Sequence, residues 1–280
     1  METILNGNNC EVKFGQGLPT VFIAERINPT GRKTLAEELK SGKLDTVEKD
    51  AIEQTKAGAH IIDVNVGAVG VDEVDLLPKA VKKVMEVTDR PICIDSANHK
   101  ALEAALNVCS NYKVLINSVN GEESSMEFML PLVKESGAAV ICLTMDDKGI
   151  SNNPQTRFEI AKKIIARAES MGIKRDNLVF DPLVMGAATD QNAGRICLDS
   201  MRMIVKEFGV STTGGFSNIS FGMPDREFLN VTFIVMGIMA GLCAPITDVM
   251  MKSLAATVKA ADFLAARDPY GMNFISMYRK

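Results

Sequence analysis

The sequence predicts an α/β protein folded as a (β/α)8 TIM barrel, and three observations carry that expectation. Short, uniformly apolar runs recur along the chain, and a run without alternation indicates a strand buried on both faces, as in parallel sheets. Segments with helical spacing fill the gaps between them. Carboxylate, amide and hydroxyl residues stand where the apolar runs stop. The chain has 280 residues, and a barrel of this kind takes about 250 residues as one unit.

Taken in order, strands are expected near Thr20–Ala24, His60–Val64, Pro91–Ile94, Val114–Ile116, Ala139–Leu143, Leu178–Phe180, Thr213–Phe216 and Ala244–Ile246. Gly58, Gly137 and Gly172 each stand at the end of a helical segment, where a left-handed residue closes the last turn. Asp45 with Glu48 has the form of a capping box opening a helix that carries Val47, Ala51 and Ile52. Ala101 to Val108 and Phe158 to Ala168 show helical spacing, and a last helix is expected over Ser253 to Ala266. The apolar stretch from Phe228 to Ile246 superficially resembles a membrane span. Asn230, Thr232, Gly241 and Pro245 interrupt it, so it reads as a buried helix followed by a buried strand. No GxGxxG follows the first strand, which argues against a dinucleotide-binding sheet. No linker divides the chain, so residues 1–280 read as one barrel domain, with 1–18 a short N-terminal extension that caps the barrel bottom.

Lys and Arg number 31 against 35 Asp and Glu, a net charge of −4, which gives no footprint for nucleic acid or an anionic membrane. The six cysteines, Cys10, Cys93, Cys109, Cys142, Cys197 and Cys243, form no CxxC pair and read as reduced core thiols. The N-terminus METILNGNNCEVKF lacks the basic start and long apolar core of a signal peptide. A cytoplasmic protein is expected.

In a parallel barrel the strand C-termini converge on one face, and function is built there. Reading the strand ends gives Glu25 and Asn28, Asp63 and Asn65, then Asp95, Ser96 and Asn98. Asn117 and Asn120 follow, then Asp146 and Asp147, Asp181, Ser217 with Asn218, and Asp248. The chain has two histidines, His60 and His99. His60 starts a strand on the opposite face, and His99 opens a helix, so neither serves a Ser–His–Asp triad or a histidine-ligated metal. A face rich in Asp and Asn suits a pterin, whose amino-pyrimidinone edge offers adjacent N–H donors to a carboxylate and mixed edges to an amide. Asp, Asn and Ser are also good helix N-caps, but their presence at most of the eight ends exceeds what capping requires.

The ordered segments ERIN (Glu25–Asn28), IDVNVG (Ile62–Gly67), IDSAN (Ile94–Asn98), LINSVN (Leu115–Asn120), FDPL (Phe180–Leu183), FSNIS (Phe216–Ser220) and DREFLN (Asp225–Asn230) resemble the methyltetrahydrofolate:corrinoid protein methyltransferases and the folate domain of cobalamin-dependent methionine synthase. The likeness runs from Val21 to the C-terminus. It implies a pterin-binding barrel, a homodimer, and transfer of a methyl group between N5 of methyltetrahydrofolate and the Co(I) centre of a corrinoid (cobalamin). Asp95, Asn117 and Asp181 match the residues that hold the pterin, with Asp63 and Asn65 lining the same pocket. Asn218 matches the asparagine that hydrogen-bonds near N5, and Asp181 is implied in tuning proton delivery. Arg226 is similar to an arginine near the pocket, while Glu25, Asn28 and Ser96 look like supporting residues. The cobalamin-binding DxHxxG pattern is missing, which implies a corrinoid on a separate partner protein. The barrel ends in PITDVM, without the basic pattern of dihydropteroate synthases. A dihydropteroate synthase-like enzyme and a non-catalytic folate-binding subunit are the alternatives.

Overall fold

A computed structural model describes residues 1–279. Its centre is a closed barrel of eight parallel strands: β3 (Ile23–Ile27), β4 (Ile61–Val64), β5 (Ile92–Asp95), β6 (Leu115–Asn120), β7 (Ala139–Leu143), β8 (Leu178–Asp181), β9 (Ser211–Gly215) and β10 (Ala244–Thr247), with β10 paired to β3. The helices between them are α1 (Lys33–Lys40), α2 (Asp45–Lys56), α3 (Glu73–Val87), α4 (His99–Val108), α5 (Glu123–Ser136), α6 (Pro154–Ser170), α7 (Ala193–Phe208) and α8 (Arg226–Ala240). Two more, α9 (Leu254–Leu264) and α10 (Met272–Ser276), follow the last strand. The sequence expectation of a (β/α)8 barrel therefore holds. Gly58, Gly137 and Gly172 take positive φ of 98°, 67° and 80°, the left-handed closure expected of them.

Side chains divide between two cores by the two-residue period of a strand. Ala24, Ile62, Ile94, Ile116, Val140 and Phe180 point outward and pack under the helices. Ile23, Ile61, Cys93, Leu115, Ile141 and Val179 fill the barrel interior. Two residues beyond five of these interior positions stand Glu25, Asp63, Asp95, Asn117 and Asp181. The apolar interior thus stops at one level, and the next inward level is acid and amide.

The N-terminal extension is better ordered than the sequence suggested. β1 (Glu2–Gly7) and β2 (Cys10–Gly15) form an antiparallel hairpin turned at Asn8 and Asn9, the latter at φ 60°. Its Leu5, Val12 and Phe14 belong to the interior cluster, so the hairpin plugs the barrel bottom. Thr3 Oγ1 donates to Ser211 Oγ at 2.8 Å, and the Gln16 amide donates to the Gly241 carbonyl at 2.8 Å. Gly7 is required by close approach, since a Cβ there would lie 2.0 Å from the Asp89 carbonyl oxygen.

Three local expectations are corrected. The first barrel strand begins at Ile23, not Thr20, because the Asp262 carboxylate captures both the Thr20 N–H and its hydroxyl. Asp45 and Glu48 make no capping box; Asp45 already lies inside α2, and Glu38 of α1 accepts the Thr46 N–H instead. The α8 segment buries only one side, leaving Leu229, Met236 and Met239 exposed. Among the described residues no helix is long and apolar enough to cross a membrane.

Phe14 is fully buried where the hairpin enters the barrel. Phe14→Ala is expected to cost about 3–5 kcal/mol of stability in urea unfolding. Because the plug lies at the end of the barrel opposite the polar level, ligand affinity should stay unchanged; a loss below 1 kcal/mol would show that the plug contributes little.

Candidate active site

The polar level at the strand C-termini stands directly above the apolar interior of the barrel. Asp63, fully buried on β4, has its carboxyl pushed well up, first by burial and then by the neighbouring Asp95 charge. The Cys93 thiol and Asn117 amide beside it act in the opposite direction. Among the described residues no donor reaches Asp63 Oδ1. Asp95, on β5, is pushed up to about 6, chiefly by burial, against the stabilising effect of the Asn65 amide. Asn65 Nδ2 donates to Asp95 Oδ2 at 2.9 Å, while Asn65 Oδ1 accepts the Gly67 N–H at 2.8 Å. The amide is thereby fixed in orientation at both ends.

Across the barrel, Asp181 at the end of β8 is likewise raised to about 6 by burial, opposed by the Leu183 N–H and by Arg157. That N–H donates to Asp181 Oδ1 at 2.7 Å, with Leu183 itself left-handed at φ 65°. Arg157 of α6, buried, donates to the carbonyls of Ser151, Pro182 and Leu183 and so pins the segment after β8. Gly214 on β9 leaves room for the acid, since a Cβ there would meet Asp181 Oδ1 at 3.1 Å. The sequence reading missed Arg157: its pattern is that of any helix residue, and only the fold brings it beneath β8.

Asn218 sits on a short 3-10 turn, Phe216–Ser220, immediately after β9. Its amide folds back over Gly215, where a Cβ would lie 2.8 Å from Asn218 Nδ2. Arg226 holds this turn from α8: Nη2 donates to the Ser217 carbonyl and Nε to Ser220 Oγ, both at 2.9 Å. It therefore supports the turn bearing Asn218 and forms no surface ion pair among the described residues. Glu25, in an irregularity of β3 between Ala24 and Ile27, accepts the Ser217 hydroxyl at 2.6 Å.

The remaining strand-end residues serve the chain itself. Asn28 Oδ1 accepts the Thr30 N–H, Asn98 caps α4, and Asn120 Oδ1 accepts the Glu122 N–H. Ser96 is turned onto Glu73, its hydroxyl donating at 2.6 Å and accepting the Asn98 N–H. The barrel mouth therefore brings together Asp63, Asn65, Asp95, Asn117, Asp181 and Asn218, with Glu25 joined to the Asn218 turn through Ser217, while Asn28 holds a local turn and Ser96 bridges to Glu73 of α3. His60 lies at the other end, its Nδ1 accepting the Phe22 N–H, and His99 stacks on Phe128.

A closed parallel barrel whose mouth carries buried acids, amides and no histidine defines a class, and residues 24–248 match the pterin-binding enzymes as a family. The chain belongs to that family. It is 27% identical over 268 residues to the methylcorrinoid:tetrahydrofolate methyltransferase of Eubacterium limosum, covering 93% of this chain and 96% of that one. It is also 32% identical over 236 residues to the methionine synthase of Mycobacterium leprae, covering 80% of this chain but 20% of that longer protein. Among solved structures, a Yersinia pestis dihydropteroate synthase with a pterin–sulfa conjugate superposes with a TM-score of 0.70 at 15% identity, covering 94% of this chain and 99% of that one. A Coxiella burnetii dihydropteroate synthase in complex with pteroic acid gives 0.68 at 16% identity, with coverage of 94% and 99%. At these identities the two structures speak for the fold alone.

Raised acids carry a pH signature. Unfolded, Asp95 and Asp181 titrate at about 4, and folded at about 6. Between those values the folded state keeps protons that the unfolded state has lost, so stability falls as pH rises through this window. Asp95→Asn and Asp181→Asn should each stabilise the ligand-free protein by about 1–3 kcal/mol at pH 8. That gain should fade towards pH 4 in thermal unfolding; destabilisation at pH 8 would mean that the charged forms are well compensated.

Proposed function

We propose that the protein is a methyltransferase that moves a methyl group between N5 of a tetrahydrofolate and the cobalt of a corrinoid carried by a separate protein. The observation that carries this reading is the ring of inward acids and amides, closed over by Asn218 on a braced turn. Asp63 Oδ1, buried and without a donor among the described residues, suits the adjacent N–H groups of a pterin edge. Asp95, Asn117 and Asp181 hold the ring from the barrel strands, with Asn65 fixing the Asp95 carboxyl. The near full-length likeness to a protein named for tetrahydrofolate and methylcorrinoid supports the same assignment.

The chemistry asks for activation at N5. A tertiary amine leaves poorly, so its nitrogen must be stabilised as the methyl carbon passes to cobalt in an in-line displacement. Asn218 donates or accepts a hydrogen bond at that nitrogen without itself being a proton source. The rest of the site's task is to fix the methyl for the approaching cobalt. Asn218→Ala should slow transfer by about 10²–10³-fold while leaving folate affinity nearly unchanged. Asp95→Ala should lower affinity itself. The assay is anaerobic mixing with methyltetrahydrofolate and reduced cobalamin, followed by the cobalt spectrum. Folate binding without transfer to any candidate corrinoid protein would make the chain a binding subunit, and incorporation of p-aminobenzoate into a pteroate would make it a synthase.

A homodimer accompanies this reading. Leu229, Met236 and Met239 lie along one side of α8, and Leu264 of α9 is 81% exposed nearby, an apolar surface suited to a second copy. Light scattering should give the mass of two chains, and Met239→Lys should shift it to one. A wild-type monomer at micromolar concentration would sink the dimer.

A further inference from the structure

Methyl exchange at N5 requires a proton to come or go, and Asn218 has none to exchange. The carboxylate joined to the Asn218 turn is Glu25, whose Oε1 accepts the Ser217 hydroxyl at 2.6 Å. In the barrel order β10 stands between β9 and β3. Glu25 thus reaches across the end of β10 to the residue adjoining Asn218. We propose that Glu25 holds the proton exchanged with N5 and passes it through the Ser217 hydroxyl. This rests on the methyl-transfer reading given above. Glu25 works through Ser217 and makes no contact with the folate in this scheme, so it is a positioning residue for the proton.

The groups facing Glu25 are Asp248 after β10, Arg226 of α8, Asp63 of β4 and Ser217. Arg26 on the same strand is turned away towards Asp50 and Asp248. Burial raises the Glu25 carboxyl above its ordinary value, with Asp248 adding to the rise while Ser217 and Arg226 oppose it. Such an acid retains a proton closer to neutral pH than a solvated glutamate does.

The step balances in both directions. With folate as donor, the N5–methyl bond breaks and the methyl carbon bonds to cobalt with the two electrons of Co(I). The pair left on N5 takes a proton that travels from Ser217 Oγ, and Glu25 replaces it. With folate as acceptor, N5 takes the methyl with its own pair, and Co(I) departs with the cobalt–carbon pair. The N5 proton then returns through Ser217 to the Glu25 carboxylate.

The test is the pH dependence of single-turnover transfer from methyltetrahydrofolate to reduced cobalamin, with folate affinity measured by calorimetry alongside. Wild type should slow as pH rises through the Glu25 titration. Glu25→Gln retains an oxygen that accepts the Ser217 hydroxyl but supplies no proton. It should be slower by about a hundredfold at low pH and lose the descending limb, with folate affinity within about threefold of wild type on the expectation that it touches no folate. Glu25→Asp should restore a titrating limb at a shifted pH. Ser217→Ala should reproduce the Gln profile, and it carries the test if the Gln variant fails to fold. A wild-type limb persisting in Glu25→Gln, or a loss of folate affinity that accounts for the lost rate, would overturn the proposal. A wild-type protein that binds folate yet methylates no corrinoid would instead overturn the underlying reading.

Discussion

Carboxyl groups buried at the level where the barrel's apolar interior ends are the constraint to which the rest of the structure answers. Ionising an acid among Ile61, Cys93 and Leu115 is costly unless dipoles or opposite charges face it. The chain supplies these sparingly. Asp95 receives one amide, Asp181 one backbone N–H, and Asp63 keeps an oxygen that no donor reaches among the described residues. The acids are therefore left short of partners on the side facing the barrel mouth. In the proposed function, a ligand presenting several N–H groups would complete what the protein leaves undone, and its affinity would draw on that shortfall.

The surrounding architecture keeps these acids in place. Arg157 ties the segment after β8 from beneath, so that the Leu183 N–H meets Asp181. Gly214 and Gly215 admit the Asp181 and Asn218 side chains by having none of their own. Arg226 and Glu25 both grip the 3-10 turn at Ser217, one at its carbonyl and the other at its hydroxyl. The methyl transfer proposed above would require its groups held to within a fraction of an ångström, and these braces reach both a backbone carbonyl and side-chain hydroxyls of the turn.

Much of this was legible in the sequence because a carboxylate closing an apolar run is conspicuous. IAE, IID, CID, LIN and VFD each show an inward apolar residue, an outward one, then an inward acid or amide. The strand ends could not reveal which polar residues face the pocket and which close turns. Ser96 and Asn98 stand one and three residues after Asp95, yet go to Glu73 and to the cap of α4. That division depends on how each chain segment leaves its strand. Arg157 was invisible because its helix shows no departure from ordinary amphipathic spacing. The N-terminal hairpin did carry a signal: polar–apolar alternation in EVKF, Glu11 to Phe14, just after the turn residues Asn8 and Asn9. That signal is short and lies outside the repeating β/α unit, so the barrel pattern does not include it.

That hairpin has a consequence for the order of assembly. Thr3 finds Ser211 across 208 residues of chain, and Gln16 finds Gly241 across 225. These residues, synthesised well before β9 and β10, are thus among the last to gain their partners. Until β9 and β10 emerge, Leu5 and Phe14 remain without the barrel bottom that covers them, and closing so long a loop is entropically slow. Synthesis of this protein passes through a stage in which an unpaired, apolar hairpin waits on β9 and β10, a stage open to aggregation and to help from chaperones.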